Sequence, residues 1–211
     1  MKVAAIVPVK LIESSKTRLE LSRNQRIVLT ELMLKYTILN LKKCKSITAV
    51  VAISADERVQ HISHFYDINF IHSEEKGVNS AIEVGDNYCR ENLFESNIIV
   101  PIDLIFINPR EIELMLSLVR KHRRCSIIVP SGRMDGTNLL LRRPFDLYHT
   151  SYDNNSYYNH ILSSIKAGVM TMIVKSVNLS EDLDTMDDYK RILSKPTNTL
   201  TRSMYRLRNV I

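Results

Sequence analysis

Three aspartates of this chain stand where carboxylates could bind a metal ion together. Asp103 directly follows an apolar run, and Asp182 and Asp184 are separated by one residue just before a helix start. In an extended segment, side chains two residues apart point to the same side, so Asp182 and Asp184 would face one way. Carboxylates without a histidine or cysteine partner suit a hard cation such as Mg²⁺, which takes oxygen ligands and shares them with substrate phosphates.

Each of these carboxylates also has a structural interpretation. Asp103 could accept backbone N–H bonds in a turn. Asp182 and Asp184 could be the acidic residues that are common at a helix start, although Asp187 and Asp188 fit that position better.

A basic segment follows the first apolar run of the chain. The stretch VPVKLIESSKTRL carries Lys10, Lys16 and Arg18. Three cations in one loop repel each other unless an anion lies among them, so the segment is either idle in water or binds something strongly negative. A Mg²⁺-bound triphosphate still needs cations near its outer phosphates, and these three side chains could supply them.

Further segments have residue types that can bind anions. Gly132 and Gly136 flank small polar residues in PSGRMDGTN, and glycine permits positive φ and close approach of N–H groups to a phosphate; an ordinary surface turn is the alternative. Ser156 lies near a helix N-terminus, where it could help to bind an anion or simply cap the helix. His160, one turn further, is interpreted as a packed or solvated histidine.

Alternating strands and helices predict the fold class. Apolar runs rich in β-branched residues indicate strands buried on both faces. Helical spacing and capping residues predict the helices between them. The pattern predicts one domain of 211 residues with a three-layer α/β/α fold and a largely parallel sheet. The predicted strands cover residues 3–9, 47–53, 98–101, 126–129, 138–141 and 169–174, and the predicted helices cover residues 22–42, a short segment after 54, 78–91, a segment from 108, 155–166 and 185–193.

The ends of the predicted elements carry specific signals. Ser54 with Glu57 predicts a capping box, Asn108 with Pro109 a helix start, and Gly168 a left-handed helix end. In such sheets, ligands bind beyond the carboxyl ends of the strands. That rule selects the basic segment, the loop at Asp103, the glycine turn and the segment at Asp182 as one site.

Composition limits the other possibilities. The net charge of +6 is scattered along the chain, without an RNA-binding signature, so nucleic acid is not predicted as a partner. Three cysteines without CxxC spacing are interpreted as buried thiols. Apolar runs fall short of the roughly 18 residues of a membrane span, and a cytoplasmic protein without a membrane partner is expected. The basic tail from about residue 195 is expected to be either a strand added to a partner subunit or a frayed terminus.

These segments, in this order, resemble the archaeal 2-phospho-L-lactate guanylyltransferases of coenzyme F420 biosynthesis. More distantly the chain is similar to the wider nucleotidyltransferases with a Rossmann-like, GT-A-type sheet. The resemblance covers roughly residues 2–194 and is carried by VPVK with SKTRL, GVNSAI, VPID, DGTNLLLRRP, SYYNH and DLDT. Where an aromatic-glycine pair would precede the serine of SYYNH, this chain has Tyr152 and Asp153.

The resemblance implies a transfer of GMP from GTP to 2-phospho-L-lactate, with Mg²⁺ as cofactor, in a homodimer. Other acceptors, such as phosphoenolpyruvate, phosphoglycerate or a sugar phosphate, or another nucleotide, stay open, and a non-catalytic nucleotide or RNA binder is the remote alternative. The implied catalytic residues are Lys10, Lys16, Arg18 and Asp103. The implied nucleotide-binding residues are Pro8, Lys10, Lys16, Arg18, Gly77 and Asn79, the implied acceptor-binding residues are Thr137, Asp153 and Ser156, and the implied metal ligands are Asp103, Asp182 and Asp184.

Overall fold

A computed structural model describes residues 1–74, 76–194 and 197–208. Strands and helices alternate through most of these residues. The strands are β1 (Val3–Pro8), β2 (Ala49–Ser54), β3 (Asn69–His72), β4 (Ser96–Ile99), β5 (Cys125–Pro130), β6 (Thr137–Arg143) and β7 (Met170–Ile173). The α-helices are α1 (Arg23–Leu41), α2 (Glu57–Phe65), α3 (Val78–Glu91), α4 (Pro109–Arg120), α5 (Ser156–Lys166), α6 (Met186–Leu193) and α7 (Thr199–Arg208).

The strands form one sheet in the order β3-β2-β1-β4-β6-β5-β7. Every neighbouring pair is parallel except the two pairs that β6 makes with β4 and β5. The predicted mostly parallel mixed sheet is therefore confirmed. Because β6 runs in reverse, its first residue, Thr137, pairs with Pro130 and lies at the edge where the parallel strands end.

The alternation along β1 divides the core into two layers. Val3, Ala5 and Val7 join one apolar cluster, and Ala4 and Ile6 join the other, all with 0% exposure. The first cluster includes residues of α1, α2, α4, α6 and α7, and the second includes residues of α3 and α5. Helices thus cover both faces of the sheet, as the three-layer prediction requires.

Helix α3 packs very closely on the sheet. A methyl group added at Gly85 would lie 2.8 Å from Cγ2 of Ile6 and 3.0 Å from Cδ1 of Ile53. Glycine at this point lets the helix axis approach β1 and β2. The close packing fixes the position of the first turn of α3, which lies next to the carboxyl end of β1.

Most predicted helix ends are confirmed. Ser22 caps α1 through a capping box with Gln25, and the Asn108 side chain caps α4 with Pro109 in its first turn. Gly168 has a φ of 61° at the end of α5. The capping box predicted at Ser54 is wrong, because Ser54 is the last residue of β2 and the Asp56 side chain caps α2 by accepting from Arg58 N–H.

Two elements differ from the sequence prediction. Strand β3 was not predicted, because its four residues lie at the sheet edge, half buried, without an apolar run. The tail from residue 199 to 208 is helix α7, so the predicted strand or frayed terminus is wrong for these residues. Leu200 and Met204 are buried in the core, which orders the helix. Residues 195, 196 and 209–211 of that predicted tail lie outside the described residues.

Within the described ranges, no helix combines the length and the apolar character that crossing a membrane would require.

Candidate functional site

The segment around Asp182 lies against the loop that follows β4. Leu104 and Asp182 form an antiparallel bridge, and the Leu183 N–H donates to the Asp103 carbonyl over 3.2 Å. This pairing brings Asp103, Asp182 and Asp184 together from positions about eighty residues apart in the chain. The predicted gathering of the three carboxylates at the strand-end edge is therefore observed, although their role as metal ligands stays a prediction.

The ammonium of Lys16 lies within this group. Its Nζ is 2.9 Å from Oδ2 of Asp103 and 3.0 Å from Oδ1 of Asp184, and it also donates to the Leu183 carbonyl. Burial alone would lower the pKa of Lys16, but the two carboxylates outweigh it and raise the pKa. A lysine ammonium has three donors, and all three are used here.

Asp182 is the carboxylate whose charge is least stabilised. Burial, together with the charges of Asp103 and Asp184, raises the pKa of Asp182 to about 6. Within the described part of the chain, no group of three histidine, cysteine, aspartate or glutamate side chains is arranged to hold a metal ion. The three carboxylates therefore form a negative cluster around a lysine, and a metal ion would have to share or replace that cation.

The basic segment is fixed at its start by a residue that sequence analysis did not select. Oδ2 of Asp56 accepts from the Ile12 N–H over 2.8 Å, and Glu13 pairs with Arg58 over 3.2 Å. Burial would raise the pKa of Asp56, but the hydrogen bonds from Ile12 and Arg58 lower it, so the carboxylate stays charged. Because the cap of α2 was predicted at Ser54, Asp56 was not selected from the sequence. Asp56 both caps α2 and holds the basic segment.

Lys16 also has an unusual backbone conformation. Its φ is 55°, in the left-handed region that non-glycine residues rarely adopt. The ion pairs with Asp103 and Asp184 hold the residue there. In contrast, Lys10 and Arg18 are exposed, and the structure gives neither side chain an ion pair within the described ranges.

An open cleft of about 310 Å³ lies between the end of β1 and the start of α3. Three residues implied to bind the nucleotide, Pro8, Lys10 and Gly77, line it together. Gly77 has a φ of 95°, which an L side chain rarely adopts, so glycine is required for this entry into α3. The remaining lining residues are Val9, Ile53, Ser54, Ala55, Ser73, Glu74, Val78 and Ala81.

Asn79 is not among the residues that line this cleft, and its implied role in nucleotide binding stays a prediction. Its Oδ1 accepts from the Tyr152 N–H over 2.8 Å, and its Nδ2 donates to Asp153 over 3.1 Å. Both polar atoms of the Asn79 amide are therefore hydrogen-bonded to the segment that precedes α5. The sequence predicted the helix start correctly but not the direction of this side chain.

Thr137 and Ser156 lie together, as implied for the acceptor site. The Thr137 N–H donates to Oγ of Ser156 over 2.8 Å, and Oγ1 of Thr137 lies 2.9 Å from Nδ1 of His160. The interpretation of Ser156 as a cap is wrong, because Asn155 is the cap residue and makes no side-chain cap bond. Asp153 is exposed, and its carboxylate accepts from Nδ2 of Asn79.

The glycine turn does not present free N–H groups. Gly132 N–H donates to the Ser180 carbonyl over 2.8 Å, and Gly136 N–H donates to Oγ of Ser131 over 3.0 Å. The positive φ of this turn belongs to Met134, at 62°. The turn therefore joins β5 and β6 to the segment carrying Asp182, and the N–H groups of its two glycines are hydrogen-bonded within the protein, as the alternative of an ordinary turn predicts.

The cysteines contribute no chemistry to this site. Cys44, Cys89 and Cys125 are free and buried, as predicted. Burial raises the pKa of Cys44 and of Cys89 to about 12, so both stay as thiols.

Solved structures with this fold include nucleotidyltransferases. A nucleotidyl transferase from Methanothermobacter superposes with a TM-score of 0.62 at 14% identity, covering 97% of this chain and 98% of that chain. A Desulfovibrio desulfuricans protein superposes with a TM-score of 0.79 at 14% identity, covering 99% and 95%. A manganese complex of a Mycobacterium tuberculosis protein gives a TM-score of 0.61 at 14% identity, covering 92% and 100%. The fold is that of the nucleotidyltransferases.

The chain belongs to the family of CofC-like guanylyl transferases, whose family model matches residues 3–210. It is 30% identical to a 2-phospho-L-lactate guanylyltransferase of Methanocaldococcus fervens, over 96% of this chain and 89% of that protein. It is also 30% identical to a phosphoenolpyruvate guanylyltransferase of Conexibacter woesei, over 89% and 86%. A 3-phospho-D-glycerate guanylyltransferase of Colwellia psychrerythraea is 27% identical, over 93% and 94%. The chain is thus a guanylyltransferase, and its relatives differ in their acceptors.

Proposed function

We propose that the protein transfers GMP from GTP to the phosphate of 2-phospho-L-lactate, releasing pyrophosphate and forming lactyl-2-diphospho-5'-guanosine for coenzyme F420 biosynthesis. The observation that carries this proposal is the cluster of Lys16 with Asp103 and Asp184 at the same sheet edge as the cleft lined by Pro8 and Gly77. Cations and carboxylates next to a cleft suit the joining of two phosphorylated molecules.

The reaction needs no nucleophile from the protein. An oxygen of the acceptor phosphate attacks the α-phosphorus of GTP, the bond from that phosphorus to the bridging oxygen breaks, and pyrophosphate leaves with the electron pair. A phosphate monoester has a second pKa of about 6, so the attacking oxygen is already largely anionic at neutral pH. The remaining task is to bring one polyanion up to another and hold both in line.

The donor set of the acidic cluster fits Mg²⁺. Asp103, Asp182 and Asp184 offer carboxylate oxygens only, which are hard ligands. Burial, and then the charges of Asp103 and Asp184, raise the pKa of Asp182, and a nearby cation would offset the part that comes from these charges. When bound, a divalent ion would neutralise phosphate charge and make the α-phosphorus more electrophilic. The three aspartates would hold it after a rearrangement, since within the described residues no three such side chains are already arranged around a metal position.

The basic segment supplies cations for the triphosphate. Lys10 lines the cleft and Arg18 is exposed on the same segment, so both are available to phosphate oxygens. Lys16 is already paired with Asp103 and Asp184, and it would reach a phosphate by exchanging one of these partners. The anchor from Asp56 to Ile12 keeps the start of the segment in place while its middle adjusts.

Pyrophosphate release measured for each NTP with each candidate acceptor tests the proposal. GTP with 2-phospho-L-lactate should give the highest kcat/KM. Faster release with phosphoenolpyruvate or 3-phosphoglycerate would contradict 2-phospho-L-lactate as the acceptor but would still support guanylyl transfer. Dependence of the rate on added Mg²⁺, after treatment with a chelator, tests the metal in the same assay.

The net charge of +6 favours a second candidate, a non-catalytic binder of nucleotides or RNA. Such a protein would bind RNA with a steep salt dependence and would release no pyrophosphate. Release of pyrophosphate from GTP in the presence of an acceptor, together with weak binding of RNA, would exclude it.

A further inference from the structure

His160 makes hydrogen bonds to two separate segments from the interior of the acceptor region. The ring is completely buried. Its Nε2 lies 3.0 Å from the backbone nitrogen of Ser151, and its Nδ1 lies 2.9 Å from Oγ1 of Thr137. One side chain therefore joins the first residue of β6 to the segment that precedes α5.

These two bonds determine where the ring carries its proton. A backbone N–H can only donate, so Nε2 must accept from Ser151. Burial, and to a smaller extent the charge of Arg142, lowers the pKa of His160 to about 4, so the ring is neutral at physiological pH. The single ring proton is then on Nδ1, which donates to the Thr137 hydroxyl.

The position of that proton sets the role of the Thr137 hydroxyl. Because Oγ1 accepts from His160, its own proton has to point away from the ring. Oγ of Ser156 likewise accepts from the Thr137 N–H. Two neighbouring hydroxyls, on residues that are 5% and 4% exposed, thus each use a lone pair on a protein donor. Each keeps an O–H proton for which the described residues show no acceptor.

The packing around His160 keeps the ring in this orientation. The ring of Tyr152 meets it edge-on at a centroid distance of 4.8 Å, and the ring of Tyr148 lies at 6.4 Å. Rotation of the ring to exchange its nitrogens would break the hydrogen bonds to Thr137 and Ser151 and disturb the edge-on contact with Tyr152.

We propose that His160 is a positioning residue that orients the Thr137 hydroxyl as a hydrogen-bond donor to the phosphate or carboxylate of the acceptor. This inference rests on the proposed function, since it deepens the description of the acceptor site. His160 itself does not touch the acceptor. Because His160 donates to Thr137, the Thr137 hydroxyl cannot donate its own proton to the histidine ring.

Kinetics and calorimetry on His160→Phe and His160→Gln test this proposal. Phenylalanine loses both bonds, whereas glutamine keeps one acceptor and one donor on a planar amide. His160→Phe should raise the KM for 2-phospho-L-lactate and weaken its binding by about tenfold, as expected for one hydrogen bond to a charged group. The KM for GTP should change less than twofold, and His160→Gln should recover most of the loss.

The double variant with Thr137→Val decides whether His160 acts through Thr137. Thr137→Val alone should give the same acceptor-specific loss, and adding His160→Phe should cost little more. Additive losses, equal changes in both KM values, or an unchanged acceptor KM in His160→Phe would overturn the proposal. If His160→Phe fails to fold, His160→Asn replaces it, because the shorter amide cannot reach both partners.

The wild-type protein separates this proposal from the proposed function. If calorimetry shows binding of 2-phospho-L-lactate but no pyrophosphate is released with GTP, the proposed function is contradicted. The calorimetric comparison of the His160 variants still tests the role of His160 in that case. If it binds none of 2-phospho-L-lactate, phosphoenolpyruvate and 3-phosphoglycerate, both are overturned.

Discussion

The Lys16 ammonium lies 2.9 Å from Oδ2 of Asp103, although 87 positions separate the two residues in the chain. The same ammonium lies 3.0 Å from Oδ1 of Asp184. The Lys16 ammonium thus occupies a position between two carboxylates, and a divalent ion would be stabilised at the same position. Binding of a metal ion and retention of both Lys16 ion pairs should therefore compete.

Replacing Lys16 by methionine should strengthen metal binding while it damages catalysis. Without the ammonium, Mn²⁺ meets the carboxylates with no competing cation, so its Kd should fall by about three- to tenfold, a modest effect for partly exposed ion pairs. Electron paramagnetic resonance of free Mn²⁺ measures this without turnover. Lys35→Met is the matched control, because Lys35 pairs with Glu31 on the helix α1 away from the cluster. An unchanged Kd in Lys16→Met would show that the two cations do not compete.

Asp184→Asn should lower turnover by at least about 100-fold while the fold stays intact, since it removes a charge from the reacting site. Circular dichroism monitors the fold, and pyrophosphate release measures the rate. Asp187→Asn provides the control, as Asp187 is an exposed aspartate in the first turn of α6. A near-normal rate in Asp184→Asn would exclude Asp184 from the site.

Gly77→Ala should weaken GTP binding through backbone strain rather than through a steric clash. The added methyl group would meet nothing within 4 Å, but a φ of 95° is unfavourable for alanine, which costs about 1–3 kcal/mol. Relaxation of the strain would shift the entry into α3 and raise the KM for GTP. Gly168→Ala, also at positive φ in open space, should lose stability without changing that KM. Equal KM effects in both variants would refute a local role for Gly77.

The contribution of His160 to the stability of the protein should fall as the pH drops from about 6.5 toward 4, whereas Asp182, whose pKa is raised to about 6, contributes with the opposite sign. The pKa of His160 is lowered from its ordinary 6.5 to about 4, chiefly by burial and further by Arg142. In that range the unfolded chain binds a proton that the folded chain does not, so His160 contributes about 3 kcal/mol of this loss. Tyr148 and Tyr152, which also face the ring, stay neutral there because burial raises the pKa of both hydroxyls.

Urea unfolding at pH 7 and pH 4 measures this effect. Subtracting the change seen in His160→Gln from that of the wild type isolates the histidine from other titrating groups. His122→Gln, at an exposed histidine, should retain the wild-type dependence. Parallel stability profiles for wild type and His160→Gln would contradict a neutral buried ring.

Asp153→Asn should improve the use of an anionic acceptor. The Asp153 carboxylate accepts from Asn79 and lies three residues before Ser156 in the segment that precedes α5, and an exposed charge near an anion site is worth up to about 1 kcal/mol. The KM for the acceptor should therefore fall by about three- to fivefold, with the KM for GTP unchanged. Asp146→Asn, also at an exposed aspartate, serves as control. A higher acceptor KM in Asp153→Asn would mean that the carboxylate recognises the acceptor directly.

The sequence predicted those parts of the fold that local chemistry determines. The start of α1 at Ser22 and the left-handed end at Gly168 depend on neighbouring residues only, and both are observed. The C-terminal helix was missed because its order comes from burial of Leu200 and Met204 against distant helices. Strand β3 was missed because an edge strand needs no continuous apolar run.

The candidate site divides in the same way. Residues at strand ends, such as Asp103 and Thr137, were predictable because parallel strands end at one edge. The direction of the Asn79 amide and the anchor at Asp56 depend on tertiary hydrogen bonds that have no sequence signal. The buried position of His160 was within the sequence interpretation, but its link between Thr137 and Ser151 was not.

The C-terminal end of the described chain is hydrogen-bonded to the loop that carries Asp103. Nδ2 of Asn198 donates to the Ile105 carbonyl over 2.8 Å, two residues beyond Asp103, and Oδ1 of Asn198 accepts from the Thr201 N–H at the start of α7. A protein shortened before Asn198 would thus lose a brace on the Asp103 loop together with a helix.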